Sequence, residues 1–147
     1  MHILILAIYG IYLALLAVID VKKRKIPLIW LLAGIVFVPV GIIDEGFETL
    51  YTHILGLIPG VLSILIAIVS RGQIGMADAV LLTVTGAFLG FGPSICVISV
   101  SLLSIAFVAG LMLMAGRLGR KSTLPYVPFL LLGYVITIVI FKTGNSG

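Results

Sequence analysis

Apolar residues in this chain come in long, unbroken runs. Residues 3–19, 26–43, 53–69, 77–91, 94–115 and 124–141 are almost wholly apolar, and short polar turns separate them. A hydrocarbon core ~30 Å thick is crossed by ~20 helical residues, with ~17 at the short end. Six membrane helices are therefore predicted. The fourth run is short and glycine-bearing, and it is parted from the fifth only at Gly90-Phe91-Gly92-Pro93, where a proline cannot continue the preceding helix. A membrane β-barrel would need short segments of alternating polarity, which do not appear. The expected fold class is an all-α polytopic membrane protein, a six-helix bundle forming one membrane-embedded domain over residues 1–147.

Composition agrees with the pattern. Of 147 residues, 62% are hydrophobic and 10% charged, with a mean hydropathy of +1.38. That is more apolar surface than the interior of a small soluble domain can hold. No Pro/Ser/Gly-rich linker divides the chain. The one cysteine, Cys96, excludes an intramolecular disulfide and a cysteine-based metal site.

The net charge of +4 is distributed unevenly. Lys22, Lys23, Arg24 and Lys25 fill the first turn, Arg71 lies in the third, and Arg117, Arg120 and Lys121 in the fifth. Eight of the nine basic residues thus fall on one side, which the positive-inside rule makes cytoplasmic. The other side carries Asp44-Glu45-Gly46-Phe47-Glu48, the Gly92-Pro93 turn and Lys142, so both termini are expected outside. The basic residues report topology, and no nucleic-acid partner is expected. The first helix has its basic cluster after the apolar run, the reverse of a cleavable secretory signal.

Outside the acidic loop, Asp20 and Asp78 are the only acids. Asp20 ends the first predicted helix and Asp78 begins the fourth, so both lie at one membrane level. A carboxylate at the edge of a hydrocarbon layer is costly without a partner or a function. Gly56 and Gly60 on the third helix, and Gly86 and Gly90 on the fourth, have the four-residue spacing that lets membrane helices approach closely. They would serve contacts within one chain or between copies of a homo-oligomer. Two converging carboxylates cannot both ionise cheaply and would share a proton. One could then activate water while the other protonates a peptide carbonyl. The competing structural reading pairs Asp20 with Lys22 to Lys25 and makes Asp78 a helix cap.

Three stretches bear on that choice. Gly75-Met76-Ala77-Asp78 resembles the Gly-x-Gly-Asp or Gly-x-Ala-Asp signature of membrane-embedded aspartyl proteases. Asp20-Val-Lys-Lys-Arg-Lys-Ile-Pro27 resembles the first-aspartate motif of type IV prepilin peptidases, and Leu124-Pro125-Tyr126-Val127-Pro128-Phe129 is similar to the Pro-Phe-x-Pro-Phe-like stretch opening that family's last helix. The resemblance implies an intramembrane aspartic endopeptidase in the cytoplasmic (inner) membrane of a prokaryote. Its partners would be the bilayer and a type IV pilin-like precursor, whose short basic leader it removes at the cytoplasmic face. Asp20 and Asp78 would be the catalytic pair. Gly75, Met76, Ala77, Pro27, Pro125 and Pro128 would bind substrate or shape the site, Gly75 through its backbone freedom. No cofactor or metal is implied. Val80 stands where many members of the family carry a lysine. The cysteine-bearing insertion associated with N-methylation in larger members is also missing, which implies a peptidase without methyltransferase activity.

The remaining polar residues suggest less chemistry. His2 and His53 are expected on the outer face, far from the aspartates, which disfavours metal binding. Trp30, Tyr51 and Tyr126 near helix ends read as interfacial aromatics. Ser99, Ser101 and Ser104 have no histidine on their side for serine-protease chemistry. A different class also accounts for acids in a glycine-rich bundle: a small transporter or accessory subunit using an intramembrane Asp as a proton or cation site.

Overall fold

The computed structural model describes residues 2–23, 26–69, 75–116 and 124–144. Arg24, Lys25, Arg71, Arg117, Arg120 and Lys121 lie outside these residues, as do the side chains of His2 and Lys142. The described residues form α1 (His2–Lys23), α2 (Leu28–Ile35), α3 (Phe37–Glu45), a single 3-10 turn (Phe47–Thr49), α4 (Leu50–Val69), α5 (Met76–Leu89), α6 (Phe91–Met114) and α7 (Val127–Gly144), with no strand among them. Three helical stretches, Ile3–Lys23, Phe47–Val69 and Phe91–Met114, are long and apolar enough to cross a membrane. Their outward faces are apolar too, with Ile3, Leu4, Ile11, Leu65, Leu103 and Phe107 exposed. Such an exterior is suited to lipid, and the chain is read as a multi-pass membrane protein.

Two boundaries differ from those expected. The run 26–43 is not one straight helix, because α2 and α3 are two arms meeting at Val36. Pro39 has no N–H for the carbonyl of Ile35, and its ring crowds that carbonyl, so the ladder breaks one turn before it. The Val36 N–H instead turns back to the Ala33 carbonyl at 3.3 Å. Between the fourth and fifth runs, the break is made by Gly90 alone, at φ 77° and ψ 177°. Pro93 sits inside the first turn of α6, where a missing N–H costs nothing.

The core gathers around α5, which is buried along almost its whole length from Ala79 to Leu89. Tyr9, Tyr12, Phe37, Phe88 and Tyr134 form an aromatic cluster beside it, with Tyr9 and Phe88 ring centroids 4.4 Å apart. Each tyrosine hydroxyl also joins two helices. Tyr9 pairs with Thr85 Oγ1 at 2.8 Å, Tyr12 donates to the Trp30 carbonyl at 2.6 Å, and Tyr134 donates to the Leu6 carbonyl at 2.8 Å. Buried hydroxyls are costly unless they are satisfied in this way.

On its other side α5 meets α4 backbone to backbone. A Cβ on Gly56 would fall onto the Gly86 carbonyl oxygen, one on Gly86 onto the Gly56 carbonyl oxygen, and one on Gly60 onto Thr83 Cα. The Gly56/Gly60 spacing therefore serves a contact within one chain, where small residues bring two helices together. Gly110 on α6 has open space where its Cβ would stand. Gly56→Ala should lower stability by roughly 1–3 kcal/mol through overpacking, and Gly110→Ala should be neutral or slightly stabilising. Thermal unfolding of the two variants in detergent tests this; equal melting would show that α4 and α5 do not meet at Gly56.

Candidate active site

The end of α1 meets the start of α7. Asp20 is only 7% exposed, and its Oδ2 accepts the Val127 backbone N–H at 3.1 Å. The sequence leaves that donor free for a cross-helix bond. In the first turn of α7, Pro128 has no N–H, while the Phe129 and Leu130 N–H groups both reach the Tyr126 carbonyl, at 3.0 and 3.1 Å. Val127 therefore offers the unused donor of the turn, at the positive end of a helix. Asp20 fills it from another helix, a role that neither ion pairing with Lys22 and Lys23 nor its own position in α1 requires. Pro128 has no N–H, which leaves Val127 as the donor of this turn that Asp20 takes up.

Asp78 sits in the first turn of α5, half-buried, within Coulombic reach of Asp20. The two sequence-predicted carboxylates are thus near enough for the Asp20 charge to act on Asp78. The N-cap position of α5 is Gly75, which has no side chain, and the Asp78 carboxylate lies over that helix start. Gly75 itself has φ −60° and ψ 120°, a conformation open to any residue, so backbone freedom is not what glycine provides here. The reason is space, because a Cβ at residue 75 would lie 2.6 Å from Asp78 Oδ2. The Gly-x-Ala-Asp spacing leaves the carboxylate room to sit back over its own helix start.

The neighbours differ in their distance from this pair. Met76 is exposed at the first position of α5, while Ala77 and Val80 pack against the core. Val80 also lines, with Thr83, Val84 and Ala87, an apolar groove of about 420 Å³ that runs along α5 towards α3 and α4. Pro27 starts α2 in an extended conformation on the exposed turn after α1, and no hydrogen bond among the described residues ties it to either carboxylate. Tyr126 is not an exposed interfacial aromatic. Its ring packs against the core and its hydroxyl is buried, within reach of Ser101 and of the Asp78 charge. Tyr51 is 65% exposed, as an interfacial side chain should be.

His53 is 2% exposed, with Nδ1 2.9 Å from the Ala87 carbonyl and Nε2 3.3 Å from Glu45 Oε2, the latter off-line for a hydrogen bond. It joins α4 to the ends of α3 and α5, away from the aspartates. A polar residue that opens an apolar run gives no sequence signal of such burial. Among the described residues no group of three His, Cys, Asp or Glu side chains is placed to hold a metal.

A pair of carboxylates, one buried and held by a backbone amide and one partly open, can divide the tasks of binding and activating water. A family model described as "Type IV leader peptidase family" matches residues 7–142, nearly the whole chain. No curated protein and no solved structure matches significantly. The chain belongs to the type IV leader peptidase family, and it is a protease of that general kind.

The Asp20 geometry makes a stability prediction independent of chemistry. Asp20→Asn keeps an acceptor for the Val127 N–H and should unfold within about 1 kcal/mol of the wild type. Asp20→Ala leaves a buried donor unpaired and should cost about 1–3 kcal/mol. Chemical or thermal unfolding in detergent distinguishes them; equal effects would mean that the bond does not hold the start of α7.

Proposed function

We propose that this protein is an aspartic endopeptidase in which Asp20 and Asp78 share the chemistry, removing the basic leader of a type IV pilin-like precursor at the cytoplasmic face of the inner membrane. The reading is carried by two acids far apart in the sequence, near enough for the Asp20 charge to act on Asp78, in a chain whose family is one of leader peptidases.

The mechanism follows from the site. Two nearby negative charges are expensive in a medium of low dielectric, and the reaction calls for one carboxylate ionised and the other protonated. The ionised member takes a proton from water as the water oxygen attacks the scissile carbonyl carbon. The protonated member donates to the carbonyl oxygen, giving a neutral tetrahedral diol. Collapse breaks the C–N bond, with the proton delivered to the leaving nitrogen. The Val127 amide keeps Asp20 in place throughout, so the pair need not reorganise during the reaction. Gly75 keeps the space over Asp78 clear, and the exposed Met76 lies where a peptide approaching Asp78 would pass.

The wider reading comprises a single domain, six spans with both termini outside, and no methyltransferase activity. The basic turns support the orientation, and the short α5 and kinked α2–α3 unit count as spans only through burial among longer neighbours. The transporter reading loses ground to the family match.

The test is cleavage of a co-reconstituted pilin-like precursor by the wild type, Asp20→Asn, Asp78→Asn and Gly75→Ala, each first shown to unfold like the wild type. Both Asn variants should lose activity by at least roughly 10³-fold, and Gly75→Ala, whose Cβ displaces the Asp78 carboxylate, by roughly 10-fold or more. An Asn variant that retains substantial activity would remove that aspartate from the chemistry.

A further inference from the structure

One buried titratable side chain takes no part in the proposed mechanism. His53 stands in the first turn of α4, 2% exposed, beside the end of α5 that lies about 14 Å along the helix from Asp78. Both of its ring nitrogens face acceptors. Nδ1 is 2.9 Å from the Ala87 carbonyl oxygen, and Nε2 is 3.3 Å from Glu45 Oε2. A carbonyl only accepts, so Nδ1 carries a hydrogen and donates to it. In a neutral ring that uses the single N–H. The Nε2 lone pair then faces a carboxylate oxygen, buried and without a donor. An orphaned hydroxyl can swing its hydrogen towards another acceptor, but a ring nitrogen cannot, because the Nδ1 bond fixes where Nε2 points. A second ring proton removes both the repulsion and the orphan.

The neighbourhood favours that proton. Ala87 belongs to the last turn of α5, where carbonyls lack intrahelical partners and the helix end carries partial negative charge. The charged side chains on the elements around His53 at this end are acids: Asp44 and Glu45 on α3, and Glu48 on the 3-10 turn. α5 adds only Asp78 at its far end, and α6 has no charged side chain, Cys96 being its one titratable group. α4 itself adds Tyr51, which is exposed. The Glu45 side chain keeps 34% of its surface open, so the proton can exchange with the medium.

We infer that His53 and Glu45 hold one proton between Nε2 and Oε2, and that this proton clamps the end of α3 to α4 and α5. With it, the ring is an imidazolium that donates to Ala87 and pairs with Glu45. Without it, Nε2 and the carboxylate repel and Glu45 lets go of α4. The clamp is independent of the peptidase reading. The folded chain keeps a proton that an unfolded histidine releases above about pH 6.5, so the clamp stabilises near that pH and weakens as the pH rises.

The ring can be read directly. In a His2→Ala chain His53 is the one histidine left. Heteronuclear NMR of the labelled ring in detergent should show both nitrogens protonated at about pH 7.5, where an ordinary histidine is roughly nine-tenths neutral. A neutral ring there overturns the inference. Glu45→Gln should return the ring to the neutral form at the same pH, because the amide can itself donate to Nε2. A ring still doubly protonated in that variant would show that Glu45 does not hold the proton. Thermal unfolding reads the clamp. Raising the pH from about 6 to about 9 should lower the wild-type melting temperature by roughly 3–8 °C more than that of His53→Asn, whose amide can still donate to Ala87. Parallel pH profiles would overturn the clamp, and the NMR result decides the proton even if His53→Asn does not fold.

Discussion

Hydrocarbon offers no hydrogen-bond partner, and that constraint arranges this molecule. A polar side chain kept in the bundle is costly unless it finds a partner on another helix or on its own backbone. The outcome is a set of cross-helix bonds: Tyr9 to Thr85, Tyr12 to the Trp30 carbonyl, Tyr134 to the Leu6 carbonyl, His53 to the Ala87 carbonyl and the Val127 amide to Asp20. All of these involve α1 or α5, the two helices that carry the aspartates. The bonds that satisfy the polar groups of the core therefore also fix where the carboxylates stand. The hydroxyl of Thr137 on α7, like that of Tyr126, is buried without a partner among the described residues. Thr137 lies ten positions beyond Val127, too far along α7 to reach the site.

The second determinant is the shortness of α5. At 14 residues it rises only about 21 Å, less than a hydrocarbon core. A helix that short is stable in lipid only if its neighbours shield its ends, and here almost every side is covered. The glycine contact with α4 brings one backbone against another, while the aromatic cluster fills the face towards α1, α3 and α7. The N-terminal turn of the short helix is covered in part as well, and Asp78 is half-buried there.

The sequence makes some of this legible and conceals the rest for physical reasons. Runs of apolar residues announce helices well, because length and hydropathy alone decide the matter, and the glycine spacing announces a close approach that the α4–α5 contact makes. Both aspartates stand out because an acid among apolar residues is costly. Boundaries are less visible: the kink at Val36 arises from a proline three residues later, and Gly90 ends α5 without help from Pro93. Gly75 has ordinary dihedral angles, and what a side chain there would meet is the Asp78 carboxylate. The burial of His53 and Tyr126 is hidden because sequence position near a helix end suggests an interface, and only packing reveals otherwise. No local pattern marks the Val127 amide, a backbone donor defined by what the surrounding prolines lack.

The register of α6 against α7 adds one more step. Gly133 lies against Ser101 and the Val97 carbonyl, so the start of α7, six residues earlier in an antiparallel helix, is level with about residue 107 of α6. α6 continues to Met114, about 10 Å further, with Phe107, Leu111, Leu113 and Met114 exposed. α1 ends at Lys23, only three residues after Asp20, with Lys22 and Lys23 exposed. Among the described residues the site is thus flanked by an exposed cationic turn at the end of α1 and by an exposed apolar stretch of α6.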